Sequence, residues 1–120
     1  MFTTRAVPTE TPQQVHEAMA RGEIVLIDVR EPSEFAVERI HGALLFPLST
    51  FDPAGLPDAV GKQVVLQCGS GKRSEMAFRK AFAAGVKVRG HLGGGIMAWK
   101  AAGLPVVSTD PSTGAVRDRF

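Results

Sequence analysis

Two short segments of the chain predict buried strands. Residues 24–27 (Ile-Val-Leu-Ile) are apolar without interruption, and residues 64–67 (Val-Val-Leu-Gln) have the same strand character. Continuous rather than alternating hydrophobicity is typical of strands buried on both faces, as in a parallel sheet covered by helices. Further strands are predicted at 43–46 and 86–89, and residues 3–7 form an edge strand or a tether.

Helix signals lie between these strands. Thr11 followed by Pro12 is a typical helix start, an N-cap with proline at the first helical position, and Gly22 ends this helix. Further helices are predicted over 32–38, 74–84 and 96–102. Because strands and helices alternate, the sequence predicts an α/β fold in which helices cover both faces of a parallel sheet.

The helix predicted over 74–84 carries an apolar stripe. Ala77, Phe78, Ala81 and Phe82 recur at helical spacing, with charged residues between them. We expect all four of these side chains to be buried in the core.

The last predicted helix follows a glycine triplet at 93–95. The triplet lacks the Gly-x-Gly-x-x-Gly spacing of a dinucleotide-binding motif, and no further βα unit follows it. We therefore expect a tight turn from strand to helix. Trp99 is predicted to anchor this helix by packing.

The composition is that of one soluble globular domain. The 120 residues are 44% hydrophobic and 22% charged, and this length suits a single core. No apolar run approaches the roughly 20 residues of a membrane helix, and the N-terminus has no signal-peptide core. We expect a single domain over 1–107, a polar tail over 108–120 that is loosely held unless Phe120 docks onto the domain, and a cytoplasmic location.

Charge and cysteine content exclude several kinds of partner. The net charge is +2, and the cations are spread along the chain, so we expect neither nucleic acid nor membrane as a partner. The only cysteine excludes an internal disulfide and a cysteine-rich zinc cluster. His16, His41 and His91 lack the mutual spacing of a metal site and are predicted to be surface or loop residues. We expect no metal and no cofactor.

Candidate chemistry is concentrated around the only cysteine. A predicted strand runs into this residue and a helix begins near Ser74, and between them lie glycines and cations. We call residues 68–74 the Cys68 loop; its members are Cys68, Gly69, Ser70, Gly71, Lys72, Arg73 and Ser74. Amide N–H groups at a helix start have no intrahelical acceptor and bind anions. Glycines let several of these groups turn towards one atom.

These features predict a reactive thiolate at Cys68. A helix N-terminus and nearby cations, here Lys72 and Arg73, lower the pKa of a cysteine thiol, and the thiolate is the reactive form. A lone cysteine after an apolar strand is more often a buried small hydrophobe. The glycines, the cations and the change from strand to helix all fall within seven residues, which favours the functional interpretation.

Asp28 and Arg30 follow the first buried strand at its carboxyl end. Open α/β sheets bind their ligands at this edge. Two interpretations remain open for the pair: it braces the Cys68 loop, or it is a surface ion pair or a cap for the helix after Pro32.

Three separated motifs resemble those of the rhodanese family of sulfurtransferases. They occur in the family's order and together cover nearly all of residues 5–107. They are residues 26–35 with 40–43, the Cys68 loop, and residues 94–99 with 103–106.

The resemblance implies a three-layer α/β domain of the single-domain kind, with a five-stranded parallel sheet. It implies that Cys68 takes a sulfane sulfur from thiosulfate or a related donor and carries it as a persulfide. Cys68 would then pass this sulfur to a thiophilic acceptor such as cyanide or a thiol. The amides of residues 69–74 would hold the terminal sulfur and the charge on the leaving group.

The resemblance also implies roles for charged residues. Lys72 and Arg73 would attract and orient a small anionic donor, and Arg30 with Asp28 would brace the loop from beneath. A sulfur-accepting protein is a further candidate partner, beside thiols and cyanide.

The chain departs from the family pattern at two places. Residues 39–43 read Arg-Ile-His-Gly-Ala where the family commonly has His-Ile-Pro-Gly-Ala, a site that we expect to be structural. Residues 68–71 resemble the loop of mercaptopyruvate sulfurtransferases, which continue with valine and threonine rather than Lys72 and Arg73. The identity of the donor, thiosulfate or mercaptopyruvate, therefore stays open.

Three other functions remain candidates. Cysteine phosphatases and arsenate reductases need five residues between cysteine and arginine, whereas four separate Cys68 from Arg73. A non-catalytic sulfur carrier would deliver persulfide to a partner protein. A single-cysteine oxidant sensor would form sulfenic acid at the same residue.

Overall fold

The computed structural model describes residues 6–58 and 61–118, which form the predicted α/β fold. The strands are β1 (Thr9–Glu10), β2 (Ile24–Asp28), β3 (Glu38–Arg39), β4 (Leu44–Leu45), β5 (Gln63–Gln67), β6 (Gly90–Leu92), β7 (Val107–Thr109) and β8 (Val116–Asp118). The helices are α1 (Pro12–Ala20), α2 (Pro32–Val37), α3 (Lys72–Ala83) and α4 (Gly95–Ala101), with 3-10 turns at Leu48–Thr50 and Pro53–Gly55.

Five strands form one parallel sheet in the order β1-β6-β5-β2-β4. The two predicted buried strands, β2 and β5, lie near its centre and pair from Ile24 opposite Gln63 to Asp28 opposite Gln67. Since all five strands run in the same direction, their carboxyl ends meet at one edge of the sheet. The predicted five-stranded parallel sheet is thereby confirmed.

Helices cover both faces of this sheet, so the domain has three layers. On one face, Ala77 and Phe78 of α3 pack in a core group with Leu66. On the other face, Val15 of α1 and Trp99 of α4 belong to a second core group. Trp99 is 2% exposed, which confirms it as a packing anchor. Within the residues described, no helix has the length and apolarity to cross a bilayer.

Local sequence sets the helix starts. The Thr11 hydroxyl accepts the Gln14 N–H, and the Gln14 side chain accepts the Thr11 N–H, which forms a capping box at the start of α1. Helix α3 begins at Lys72, two residues earlier than predicted, because Gly71 takes the N-cap position with a φ of 106°. Glycine adopts this conformation at little cost. Lys72 and Arg73 therefore lie in the first turn of α3.

The strand predicted at 86–89 is wrong, because the strand of this region is β6 at Gly90–Leu92. Glycine is depleted in strands, so propensity does not point to this segment. A Cβ on Gly90 would lie 2.6 Å from the carbonyl oxygen of Pro8, which shows how closely the chain before β1 packs on β6. The first strand is displaced as well: residues 6–8 are not a strand, and 3–5 lie outside the described residues.

The buried stripe of α3 is narrower than predicted. Ala77, Phe78 and Ala81 are buried, but Phe82 is 49% exposed, and Ser74 is buried instead. Positions 74, 77, 78 and 81 follow the spacing of one helix face, and position 82 lies beyond its edge. The stripe therefore includes a hydroxyl at the end of the Cys68 loop.

The polar segment after Val107 forms a strand pair rather than a loose tail. Strands β7 and β8 pair antiparallel, and β3 joins them in a second sheet of order β3-β7-β8. Asp110 accepts hydrogen bonds from Ser112 in the intervening turn, where Gly114 has a φ of 74°. Phe120 lies outside the described residues, and the division into a domain over 1–107 and a tail over 108–120 stays a prediction.

Candidate active site

Cys68 lies at the carboxyl edge of the sheet, directly after β5. The chain then turns through residues 69–71 and enters α3, with the left-handed conformation at Gly71. Gly69, which was expected to share this freedom, does not take a positive φ. Instead, the lack of a side chain at Gly69 lets the Arg73 guanidinium approach the backbone closely, because a Cβ there would lie 3.1 Å from Nη2 of Arg73.

Backbone amides and a hydroxyl surround the sulfur. The Gly71 N–H donates to Cys68 Sγ at 3.1 Å, and Ser74 Oγ lies 3.6 Å from Sγ. Burial raises the pKa of the Cys68 thiol, but hydrogen bonds from Ser74 and from the amides of Gly71 and Ser70 outweigh burial and lower the pKa below its ordinary value. The direction agrees with the sequence prediction, although hydrogen-bond donors rather than cations are its main cause.

Cys68 has no exposed surface and packs with the core group beneath α3. The chain above it is more open, because Ser70 and Lys72 are exposed and Gly69 is half-buried. The sulfur therefore lies beneath a partly exposed loop. Its amide contacts distinguish it from an ordinary apolar core cysteine.

Arg73 is engaged with Glu34 of α2. Their side chains make two hydrogen bonds, Nη1 to Oε1 at 2.7 Å and Nη2 to Oε2 at 3.0 Å. Bonding to Arg73 holds the pKa of Glu34 at about 2, although burial opposes this. The pair thus connects α2 to the first turn of α3, and Lys72 is the exposed cation of the Cys68 loop. Glu34 lies in the first family motif, but sequence reasoning gave it no role.

Asp28 and Arg30 form a buried pair, not a surface ion pair. Both are at most 5% exposed, and the guanidinium bonds both carboxylate oxygens of Asp28 at 2.9 to 3.1 Å. Arg30 also donates to the carbonyl oxygen of Glu38 at 2.6 Å, which links the end of β2 to β3. Asp28 lies opposite Gln67 in the sheet, so the pair is next to the residue that precedes Cys68. Its bracing role stays a prediction.

The start of α4 holds the backbone of the Cys68 loop. The Ile96 N–H donates to the Cys68 carbonyl at 2.8 Å, and the Met97 N–H donates to the Gly69 carbonyl at 3.1 Å. Gly95, with a φ of 60°, permits this approach, since a Cβ there would lie 2.6 Å from the Gly69 carbonyl oxygen. The predicted strand-to-helix turn is confirmed, but its contact with the loop was not foreseen.

His91 is the main residue that sequence reasoning missed. It was expected at the surface or in a loop, yet it is 7% exposed within β6, and its Nδ1 lies 2.7 Å from Ser74 Oγ. The signal available in the sequence was its position just before the glycine triplet, at the carboxyl edge that holds Cys68. Gln67 is also buried, and its side-chain amide has no hydrogen-bond partner among the described residues.

Fold and site together define a class of protein: a parallel α/β domain that holds one ionisable thiol with backbone amides at the carboxyl edge of its sheet. The rhodanese-like domain family matches residues 11–102. The chain therefore belongs to the rhodanese-like family.

Two relatives have names that specify sulfur chemistry. The chain is 33% identical over 88 residues to a protein of Allochromatium vinosum named sulfurtransferase, covering 73% of this chain and 82% of that protein. It is 38% identical over 96 residues to the probable adenylyltransferase/sulfurtransferase MoeZ of Mycobacterium tuberculosis, covering 76% of this chain. The match spans only 24% of the length of MoeZ. These relatives support sulfur transfer as the general chemistry of the domain.

A solved structure has the same fold. The crystal structure of a rhodanese-related protein from Thermoplasma volcanium superimposes with a TM-score of 0.72 at 26% identity. The alignment covers 82% of this chain and 96% of that one.

Proposed function

We propose that this protein is a sulfurtransferase that moves a sulfane sulfur from thiosulfate to a thiophilic acceptor through a persulfide on Cys68. The observation that carries this proposal is the surroundings of the sulfur. Hydrogen bonds from Ser74, Gly71 and Ser70 lower the pKa of the only cysteine in a chain that belongs to the rhodanese-like family.

The proposed reaction has two displacements. In the first, the Cys68 thiolate attacks the outer sulfur of thiosulfate, the Sγ–S bond forms, and the S–S bond of the donor breaks with its electron pair leaving on sulfite. In the second, the acceptor attacks the outer sulfur of the persulfide and regenerates the Cys68 thiolate. With cyanide the product is thiocyanate, and charge balances in both steps. This is covalent catalysis in which one group serves as nucleophile and as leaving group.

The Cys68 loop supplies the remaining parts of the mechanism. The amides of Ser70, Gly71 and Ser74 that now bond the sulfur would hold the negative outer sulfur of the persulfide. Exposed Lys72 would attract the thiosulfate dianion. Arg73 would contribute mainly by fixing the loop through Glu34.

Two further residues belong to the proposal as positioning groups. The buried Asp28–Arg30 pair would fix the end of β2 against Gln67 and so brace the strand that leads into Cys68. Because the sulfur has no exposed surface, the donor must displace the groups above it before it reacts. We place this reaction in the cytoplasm, as the sequence predicts.

Intact mass spectrometry tests the proposal. The protein is treated with thiosulfate, weighed, treated with cyanide and weighed again, while thiocyanate is measured in the solution. We expect a gain of one sulfur atom that is lost again as thiocyanate, and no gain in the matched Cys68→Ser variant. Because the chain has one cysteine, the position of the added sulfur is unambiguous. An unmodified wild-type protein would count against thiosulfate as donor, and the same assay with mercaptopyruvate tests the other donor.

A second candidate function is a sulfur carrier that turns over only with a partner protein. It is favoured by the burial of Cys68 and by the fact that the match to MoeZ spans only 24% of a longer protein. This function predicts that persulfide forms on Cys68 but resists free cyanide and small thiols. Rapid thiocyanate release from the isolated chain would reject it.

A phosphatase is disfavoured by the position of Arg73. A phosphate-binding loop needs its arginine directed at the anion, whereas Arg73 makes two hydrogen bonds with Glu34. Hydrolysis of an aryl phosphate, with no sulfur gained from thiosulfate, would overturn this choice.

A further inference from the structure

Four side chains form a hydrogen-bonded series that begins at the sulfur. Ser74 Oγ lies 3.6 Å from Cys68 Sγ and 2.7 Å from His91 Nδ1. On the other side of the imidazole, Nε2 lies 3.2 Å from Thr9 Oγ1. Cys68, Ser74 and His91 are buried, so the series connects the thiol to a titratable ring within the protein.

The outer end of the series fixes the tautomer of His91. A threonine hydroxyl has one hydrogen, and Thr9 donates it to the Val7 carbonyl at 2.8 Å. Thr9 Oγ1 therefore accepts from His91, and Nε2 carries the hydrogen. In the neutral ring, Nδ1 is then an acceptor, and the Ser74 hydroxyl donates to it at 2.7 Å in preference to the Gly71 carbonyl at 3.2 Å.

We propose that His91 is a positioning residue that takes up, through the Ser74 hydroxyl, the proton that Cys68 releases. The S–H bond of Cys68 breaks as its proton passes to Ser74 Oγ, and the hydrogen of Ser74 passes to Nδ1. The product is a thiolate that accepts from Ser74, with Ser74 accepting from a protonated ring whose Nε2–H is bonded to Thr9. One proton moves across two hydrogen bonds, and no other reactant is needed.

Given the charged groups near the ring, His91 gains a proton only when Cys68 loses one. Burial lowers the pKa of His91, while Glu75 of α3 raises it, and burial is the larger effect. The ring alone therefore stays neutral, and the negative thiolate supplies the missing stabilisation of the protonated form. On adjoining elements, Glu34 is paired with Arg73, Glu10 with Arg89 and Asp28 with Arg30, and the exposed cation Lys72 lies in the first turn of α3.

The inference deepens the proposed function, since it concerns how the same thiol becomes ionised. A simpler arrangement would have Ser74 alone stabilise the thiolate, with His91 only filling space. The two arrangements differ in whether the titration of Cys68 depends on a group two hydrogen bonds away.

The experiment follows the ultraviolet absorbance of the thiolate as a function of pH. The chain has one cysteine and no tyrosine, so Cys68→Ser gives a clean baseline. We expect His91→Asn to raise the apparent pKa of Cys68 by about one unit, which means about tenfold less thiolate near neutral pH. Ser74→Ala should do the same, and the double variant should be no worse than either single one, because the two residues act as a unit. His41→Asn is the matched control and should leave the curve unchanged.

Two measurements keep the inference testable if His91→Asn does not fold. Thr9→Val, at an exposed position, removes the acceptor of Nε2–H and should raise the apparent pKa of Cys68 in the same direction by a smaller amount. By reciprocity, NMR of the His91 ring should show a lower pKa in Cys68→Ser than in wild type. Superimposed absorbance curves for wild type and a folded His91→Asn would overturn the inference. Unchanged results in both Thr9→Val and the NMR comparison would do so as well.

The outcome is separable from that of the proposed function. If persulfide forms on Cys68 but His91→Asn titrates like wild type, the relay is wrong and sulfur transfer stands. If the titrations are coupled but thiosulfate adds no sulfur, the relay stands and the choice of donor fails.

Discussion

Replacing Gly95 by alanine should separate α4 from the Cys68 loop. Gly95 has a φ of 60°, and a Cβ there would lie 2.6 Å from the carbonyl carbon and oxygen of Gly69, with the Cys68 oxygen nearer still. These are backbone atoms, so no side-chain rotation relieves the overlap. The start of α4 must move away from the chain that carries the sulfur.

The size of the effect follows from two contributions. A residue with a Cβ loses about 1–2 kcal/mol in the left-handed conformation. Moving α4 breaks the bonds from Ile96 N–H to the Cys68 carbonyl and from Met97 N–H to the Gly69 carbonyl, each of which contributes about 1 kcal/mol. We therefore expect the free energy of unfolding to fall by about 3–4 kcal/mol, a large part of the about 5–15 kcal/mol that stabilises a typical domain.

Gly103→Ala is the matched control for backbone strain. Gly103 has a φ of 77°, and nothing lies within 4 Å of a Cβ placed there. This variant should lose only the strain, about 1–2 kcal/mol. Urea denaturation measures both losses, and thiosulfate loading followed by mass spectrometry measures the effect on Cys68. Equal losses of stability in the two variants would refute the reasoning, because they would show that Gly95 contributes no close contact.

Three more predictions follow from the site. Gln67→Met should raise the free energy of unfolding by about 1–3 kcal/mol, because it removes a buried amide without partners among the described residues. The control is Gln63→Met, at an exposed position. A Gln67→Met variant that unfolds at a lower urea concentration than wild type would contradict the prediction. Glu34→Gln should cost at most about 1 kcal/mol at neutral pH, since the ion pair is more than a third exposed. Because the pKa of Glu34 is lowered from 4.5 to about 2, wild type has this stability in full above about pH 4.5 and loses it as the pH falls towards 2. A difference in urea midpoint between wild type and Glu34→Gln that stays constant across this pH range would contradict the prediction. Because Cys68 has no exposed surface, its reaction with a bulky aromatic disulfide should be slowed much more than its reaction with iodoacetamide, each rate being compared with that of a free thiol; equal relative rates for the two reagents would show an open site.

The central strands were predictable because their burial is visible locally. Residues 24–27 of β2 and 64–66 of β5 are continuously apolar, which is typical of strands covered on both faces. Strand β6 lacked such a signal, because Gly90 is required by the close approach of Pro8 rather than by strand propensity. The strand pair after Val107 was missed for a similar reason, since a polar sequence becomes a strand there by pairing with β3.

The part of the site formed by consecutive residues was predictable from the sequence. Gly71 and the amides of the Cys68 loop follow from the order of strand, glycine and helix. The partners of the loop come from elsewhere: Glu34 lies 39 residues from Arg73, and His91 lies 17 residues from Ser74. No local pattern reports such pairs, because the packing of α2, α3 and β6 brings them together.

The amide of Ile96 fixes the Cys68 carbonyl, and the amide of Gly71 fixes its sulfur. A cysteine whose main chain and side chain are both held by hydrogen bonds cannot move its bound sulfur outward, as the long and flexible lipoyl and biotinyl groups do with theirs. Under the proposed function, the accepting atom of every acceptor must instead reach the sulfur at its fixed position beneath the loop. A protein recipient would therefore need a slender protrusion, such as an extended chain terminus, to collect the sulfur.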